Sequence, residues 1–225
     1  MSVEIKVVDD PIAECAALTA AALGRGPVVL TGGSTVKAYS SLPAEAWDGA
    51  HVLFSDERCV VPSDECSNFG AVSAAVGPVT LDKARVERIR GEAGPEEAAE
   101  AYEQILGGSG LRQSGFELFL IGLGPDAHIC SMFPGAPSLD ERERLVVGVP
   151  SAGLEPFVPR VTLTFPALAL ARRVVVMAAG AGKAEALSAA FAEDAPASRE
   201  VPGSLLAEWS ENITVLTDQE GASRL

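Results

Sequence analysis

Short apolar β-type runs, each ending in a glycine-rich or charged cluster and giving way to a helical stretch, recur along this chain of 225 residues. No other feature constrains the fold as strongly. Residues 3–8 alternate apolar and polar side chains, as a strand does. Asp10-Pro11 opens a helix, with Asp as N-cap and Pro in the first turn, and Gly24 is its stop. Residues 28–30 form a short buried strand, followed by Thr31-Gly32-Gly33-Ser34-Thr35 and a helix to about Leu42. Further strands are expected at 51–55, 116–121, 173–179 and 213–216, with weaker candidates at 145–149 and 160–164. Helices are expected at 68–76, from Gly94-Pro95 onward and behind Gly182-Lys183. Such repeated units predict an α/β fold: a single domain over residues 1–225, with a largely parallel open sheet flanked by helices on both faces. The stretch 107–110 reads as a loop, and the tail after Asp218 as frayed.

Composition narrows the partners. Apolar residues make up 48% of the chain, enough for a full core, but aromatics only 5%, so Val, Leu, Ile and Ala must build it. The net charge of −14 argues against nucleic acid or an anionic membrane as partner, since both call for clustered positive charge. It does not exclude a phosphorylated ligand, which responds to the few cations at its own site. Cys15, Cys59, Cys66 and Cys130 show no CxxC spacing and read as reduced thiols of a cytoplasmic protein. The first ten residues lack a basic and an apolar region of the signal-peptide kind, and no apolar run approaches the ~20 residues of a membrane span.

The unusual polar clusters fall just after β-type runs, and in a parallel sheet those loops share one edge, where ligands bind. Gly32 and Gly33 let backbone N–H groups approach an anion, with hydroxyls from Ser34 and Thr35, although a plain strand-to-helix turn would look the same. Asp56-Glu57-Arg58 places two acids and an arginine at a strand end. Arg58 can grip a phosphate, Asp56 can accept from sugar hydroxyls or orient a neighbour, and Ser67-Asn68 can cap a helix or hold this loop. Arg160 and Lys183 are isolated cations beside β-type runs; Lys183, after Gly180-Ala181-Gly182 at an expected helix start, is well placed for phosphate, the alternative for each is a surface charge, and for Arg160 the two readings are even.

Gly122-Leu123-Gly124-Pro125-Asp126-Ala127-His128 is the most informative stretch. A β-run ends in two spaced glycines, able to offer N–H groups to an oxyanion, and an acid and a histidine follow. Histidine suits proton transfer because its unperturbed pKa is about 6.5. The other histidine, His51, begins a strand and reads as structural. Two unrelated histidines and four scattered cysteines give no metal-ligand spacing, and no GxSxG elbow supports a serine triad. Cys130 reads as a small buried residue rather than a nucleophile.

Taken in order, these segments resemble the 6-phosphogluconolactonase family. The resemblance rests on Thr31-Gly32-Gly33-Ser34-Thr35, Ser55-Asp56-Glu57-Arg58-Cys59-Val60 with Ser67-Asn68, and Gly122-Leu123-Gly124-Pro125-Asp126-Ala127-His128-Ile129-Cys130-Ser131-Met132-Phe133-Pro134-Gly135. It continues in Arg160-Val161-Thr162-Leu163-Thr164 and Gly182-Lys183. It implies a fold like that of glucosamine-6-phosphate deaminase and hydrolysis of a phosphorylated lactone without metal or organic cofactor, by a monomer or small homo-oligomer. It implies His128 as general base, Arg58, Arg160 and Lys183 around the phosphate, backbone donors from the loops carrying Gly32, Gly33, Gly122 and Gly124, and orienting roles for Asp56 and Asp126. Ala127 departs from the family's usual glycine, and at positive φ it would be strained; Cys130 replaces a small residue. Two alternatives are a glucosamine-6-phosphate deaminase, which tends to carry Asp-Glu-Tyr and Asn-Glu-Pro where this chain has Asp-Glu-Arg and Ser-Met-Phe-Pro, and a non-catalytic sugar-phosphate-binding protein.

Overall fold

A computed structural model describes residues 2–108 and 110–225. In chain order its strands are β1 (Ser2–Val7), β2 (Val28–Leu30), β3 (His51–Phe54), β4 (Asp56–Arg58), β5 (Arg85–Glu87), β6 (Leu118–Gly122), β7 (Val146–Val149), β8 (Arg160–Leu163), β9 (Val174–Met177) and β10 (Asn212–Thr217). Seven of them form one sheet in the order β1-β10-β9-β6-β2-β3-β5, with every neighbouring pair parallel. Every residue of β2 and β9 is buried. Successive strand residues face opposite sides, so unbroken burial means that both faces are covered. The helix Pro11–Leu23 starts where expected: the Asp10 carboxylate accepts from Ala13 N–H at 3.0 Å, Pro11 takes the first turn and Gly24 caps the end.

Strands β4, β8 and β7 form a separate three-stranded antiparallel sheet. The largely parallel, helix-covered main sheet is as the sequence predicts, and this small sheet is an addition to it. The segments at 145–149 and 160–164 are strands, but they pair with each other and with Asp56–Arg58, which the sequence presents as a charged turn. Three polar residues have no apolar period to betray a strand; their pairing with Thr162, Val161 and Arg160 makes them one. The edge strand β5 also escapes the sequence reading, because Arg-Val-Glu is too short and too charged.

One large apolar cluster runs through the main sheet and its helices, with Trp47, Tyr39, Tyr102 and Phe54 as its largest fully buried side chains. A smaller cluster holds Phe133, Val149 and Ala152. Gly107 and Gly108 complete the helix Pro95–Gly108 rather than a loop; Ser109 lies outside the described residues. The segment after Asp218 is folded, not frayed: it closes in a 3-10 turn, Gly221–Arg224, whose buried Gly221 donates to the Asp218 carboxylate at 2.7 Å. All four cysteines are free thiols. No described helix is long and apolar enough to cross a membrane.

Candidate active site

The chain leaves β2 toward β3 and β5 on one side, then returns with β6 on the other side of β2. The loops after β2 and β6 therefore diverge, and that switch point is where open parallel sheets bind ligands. The loops after β9, β6, β2 and β3 stand side by side there, since those four strands are consecutive neighbours. They enclose a cleft of about 210 Å³ lined by residues 31–35 and 122–125 with Asp56, Arg58, Asn68, His128, Cys130, Met177 and Lys183. Four segments far apart in sequence thus converge, as the resemblance implies. A larger groove of about 450 Å³ lies elsewhere, but Glu96, Glu100, Asp140 and Glu141 line it and would repel a phosphate.

His128 is the histidine among the residues that line the cleft. Its Nδ1 lies 2.5 Å from Asp126 Oδ1, and its backbone N–H reaches the same oxygen at 3.3 Å. The Phe133 ring packs beside the imidazole, with centroids 4.8 Å apart. Burial alone would raise the Asp126 carboxyl, but its bonds to His128 and the imidazole charge outweigh this and hold it below its ordinary value. With Nδ1–H turned to a carboxylate, Nε2 is the nitrogen left to accept a proton.

The loop that makes this pair is tight. Ala127 N–H donates to Gly124 O at 3.0 Å, Gly124 N–H to His128 O at 2.9 Å, and Ala127 O accepts from Gly203 N–H at 2.9 Å. Ala127 holds φ +60° and Cys130 φ +52°, both left-handed. The anticipated strain at Ala127 is therefore present, at about 1–2 kcal/mol for an L-residue, yet the histidine and its acid still meet. Gly124 is needed for space: a Cβ there would stand 2.1 Å from His128 Nδ1 and 2.6 Å from Asp126 Oδ1. This corrects its expected role, since its N–H is bound to His128 O and does not offer itself to an oxyanion. Gly122 ends β6 opposite Met177.

The loop after β2 is pinned from below. The buried Tyr39 hydroxyl accepts from Thr31 N–H and donates to Thr31 O, both at 3.1 Å. Gly33 takes φ +67°, Ser34 is exposed, and the buried Thr35 hydroxyl has no partner among the described residues. Gly32 has no room for a side chain, because a Cβ would come within 2.0 Å of Asn68 Oδ1.

Asp56 is 6% exposed and both its oxygens are occupied: Ser55 Oγ donates to one at 2.8 Å and Ser131 Oγ to the other at 2.7 Å. It ties β4 to the loop beyond His128. Glu57, a neighbour the sequence reading left without a role, is 3% exposed and collects four donors. These are the N–H groups of Arg58 and Asn68 at 2.7 Å, Phe69 at 2.8 Å and the Ser67 hydroxyl at 3.1 Å. It caps the helix Asn68–Val76 and fixes the course of the Arg58 backbone.

The three cations divide. Arg58 lines the cleft, donates through Nη1 to Cys66 O and keeps a buried Nε without a partner among the described residues. Lys183 lines it too, with Nζ 2.5 Å from Leu123 O; burial pulls its ammonium below the ordinary lysine value, against the pull of Asp126. The turn before Lys183 is held by Asp218, which accepts from Gly180 N–H at 2.9 Å. Arg160 is not among the lining residues. It is 3% exposed, sits opposite Arg58 in the β4–β8 pair and donates to Pro156 O at 2.7 Å. His51 is structural, 3.8 Å from Glu87 on the neighbouring strand β5. Among the described residues, no group of three or more His, Cys, Asp or Glu could hold a metal ion.

This arrangement can be compared with known proteins. The family model for glucosamine-6-phosphate isomerases/6-phosphogluconolactonase matches residues 4–215. A 6-phosphogluconolactonase of Mycobacterium tuberculosis is 34% identical over 219 residues, covering 91% of this chain and 87% of that protein. One from Synechocystis is 34% identical over 207 residues, covering 88% and 84%. Among solved structures, a 6-phosphogluconolactonase from Leishmania guyanensis superposes with a TM-score of 0.82 at 23% identity over 98% of both chains. A monomeric glucosamine-6-phosphate deaminase superposes with a TM-score of 0.83 at 19% identity over 100% of both. The architecture thus serves two chemistries, and fold alone does not choose between them.

Proposed function

The chain belongs to the glucosamine-6-phosphate isomerase/6-phosphogluconolactonase family, and from that premise we propose that it is a 6-phosphogluconolactonase whose catalytic base is His128. The reaction is hydrolysis of 6-phospho-D-glucono-1,5-lactone to 6-phosphogluconate, in the oxidative pentose phosphate pathway of the cytoplasm. The observation that carries the reading is the 2.5 Å contact of His128 Nδ1 with Asp126, which leaves Nε2 as the proton acceptor of a cleft flanked by Arg58 and Lys183.

In this reading Nε2 takes a proton from water as the oxygen attacks the lactone carbonyl carbon. Asp126 holds the tautomer and stabilises the imidazolium that forms. The carbonyl electrons move onto oxygen, then return as the ring C–O bond breaks, and the imidazolium returns its proton to the departing ring oxygen. Arg58 and Lys183 hold the phosphate, with the turn at Gly33-Ser34-Thr35 nearby. Arg160, buried and paired across from Arg58, supports the strand that carries Arg58 rather than touching the phosphate. Asp56 positions the loop after His128 through Ser131. The chemistry needs only water as co-reactant, and a monomer or small homo-oligomer suffices.

The deaminase alternative is favoured only by what the two activities share, the family model and the fold. Loss of catalysis through Ala127 is disfavoured by the intact pairing of His128 and Asp126. Purified protein should accelerate lactone disappearance over the spontaneous rate and release no ammonia from glucosamine 6-phosphate. The opposite pair of results would overturn the proposal, and binding of 6-phosphogluconate without acceleration would favour the non-catalytic reading.

A further inference from the structure

We propose that Asn68 is a specificity-determining residue, whose side-chain carbonyl accepts a hydrogen bond from a hydroxyl of the bound sugar phosphate. The inference rests on the lactonase reading for the identity of that ligand; the geometry of the amide stands without it.

Asn68 opens the helix Asn68–Val76 and is 3% exposed. Its backbone N–H is bound to Glu57, and its Nδ2 donates to Asp56 O at 2.9 Å. A backbone carbonyl can only accept, so this contact fixes which way the amide faces: nitrogen toward β4, oxygen away from it. The oxygen lies over Gly32, where a Cβ would stand only 2.0 Å from it, and both residues line the cleft. Oδ1 accepts no hydrogen bond from a described residue, since the bonds of Asn68 are those through its two nitrogens.

The residue as a whole is buried, but Oδ1 itself is not sealed from solvent, so a ligand donor can replace water on it without competing with a protein group. Asn68 lines the cleft, and a ligand held there supplies that donor. A phosphate oxygen would be repelled by the carbonyl, whereas a hydroxyl donates to it. The lactone and its product carry several hydroxyls that the mechanism leaves without partners, because the cations engage the phosphate and His128 the carbonyl end. The residue therefore selects polyhydroxylated ligands over other phosphates. The absence of a side chain at Gly32 keeps that oxygen in place.

Calorimetric binding of 6-phosphogluconate and of inorganic phosphate to wild type and Asn68→Ala tests this. The variant is expected to lose about three- to tenfold in affinity for 6-phosphogluconate, the scale of one neutral hydrogen bond, while phosphate affinity stays unchanged. KM for the lactone should rise by a similar factor with kcat nearly kept. Among the monodeoxy 6-phosphogluconates, the one lacking the contacted hydroxyl should bind wild type and variant equally. Equal loss for both ligands would show that Asn68 merely supports the loop and would overturn the proposal. So would unchanged 6-phosphogluconate binding, or a variant deficit that no deoxy ligand abolishes. If Asn68→Ala fails to fold, Asn68→Ser carries the same comparison. Hydroxyl-dependent binding in a protein that does not accelerate lactone hydrolysis would sink the lactonase reading and leave this one standing.

Discussion

Asp126 Oδ1 stands 2.5 Å from His128 Nδ1 across a single intervening residue, and Ala127 at φ +60° brings them together. Side chains two apart do not face each other on a helix, and in a strand they point the same way but stay well separated along it. A left-handed residue between them folds the chain back, and the bonds from Ala127 N–H and to Ala127 O hold it there.

Replacing Ala127 with glycine should therefore stabilise the protein slightly. Relief of about 1–2 kcal/mol of left-handed strain outweighs the roughly 0.5–1 kcal/mol of added chain entropy. A rise of about 1–3 °C in Tm is expected, with activity retained. Ala127→Val, with a branched Cβ, should lower both. A glycine variant less stable than wild type would contradict the strain assigned here.

Gly124→Ala should separate stability from catalysis. Its Cβ would occupy the space of the imidazole edge and the Asp126 carboxylate, so the pair must part. We expect kcat to fall by about a hundredfold or more, near the effect of removing the base itself, with a folded circular dichroism spectrum. Full activity in this variant would mean that the contact with Asp126 is dispensable.

The pH dependence of stability carries the Asp126 signature. Its carboxyl is held below its ordinary value in the folded state, so it contributes stability that is present above the unfolded-chain value. That contribution fades as pH falls through the depressed folded value. The difference in Tm between wild type and Asp126→Asn should thus be largest at neutral pH and shrink in the acidic range. A difference that does not change with pH would argue against the ionised contact.

Glu57→Ala should be the most destabilising of these substitutions. It strips three backbone N–H groups and the Ser67 hydroxyl of their acceptor. Charge-assisted bonds of this kind are worth about 1.5–3 kcal/mol each, so a loss of roughly 3 kcal/mol or more is expected in denaturant titration. Glu57→Gln, which keeps one acceptor, should lose less. Neutrality of Glu57→Ala would show that the helix start finds other partners.

What the sequence reveals and hides follows from the range of the interactions. The strands β2, β6 and β9 are runs of Val, Leu, Ile and Phe with glycines behind them, so their burial and the loops at their ends are local properties. The position of His128 in such a loop is likewise readable. Strand β4 is hidden because Asp56 and Glu57 are buried, and Arg58 half-buried, against partners that include residues far along the chain, Ser131 and Thr162 among them. Arg160 looks like any cation beside a strand, and its burial opposite Arg58 depends on the antiparallel pairing of β4 with β8. The role of Gly124 is hidden too: the sequence suggests a free backbone donor, whereas the fold uses its missing side chain.

The proposed role of His128 as base is open to direct measurement. Steady-state lactone hydrolysis by His128→Asn, corrected for spontaneous hydrolysis and paired with calorimetric binding of 6-phosphogluconate, tests it most directly. Turnover should fall by roughly two to four orders of magnitude, while the dissociation constant changes far less. Turnover at the wild-type level would contradict the assignment.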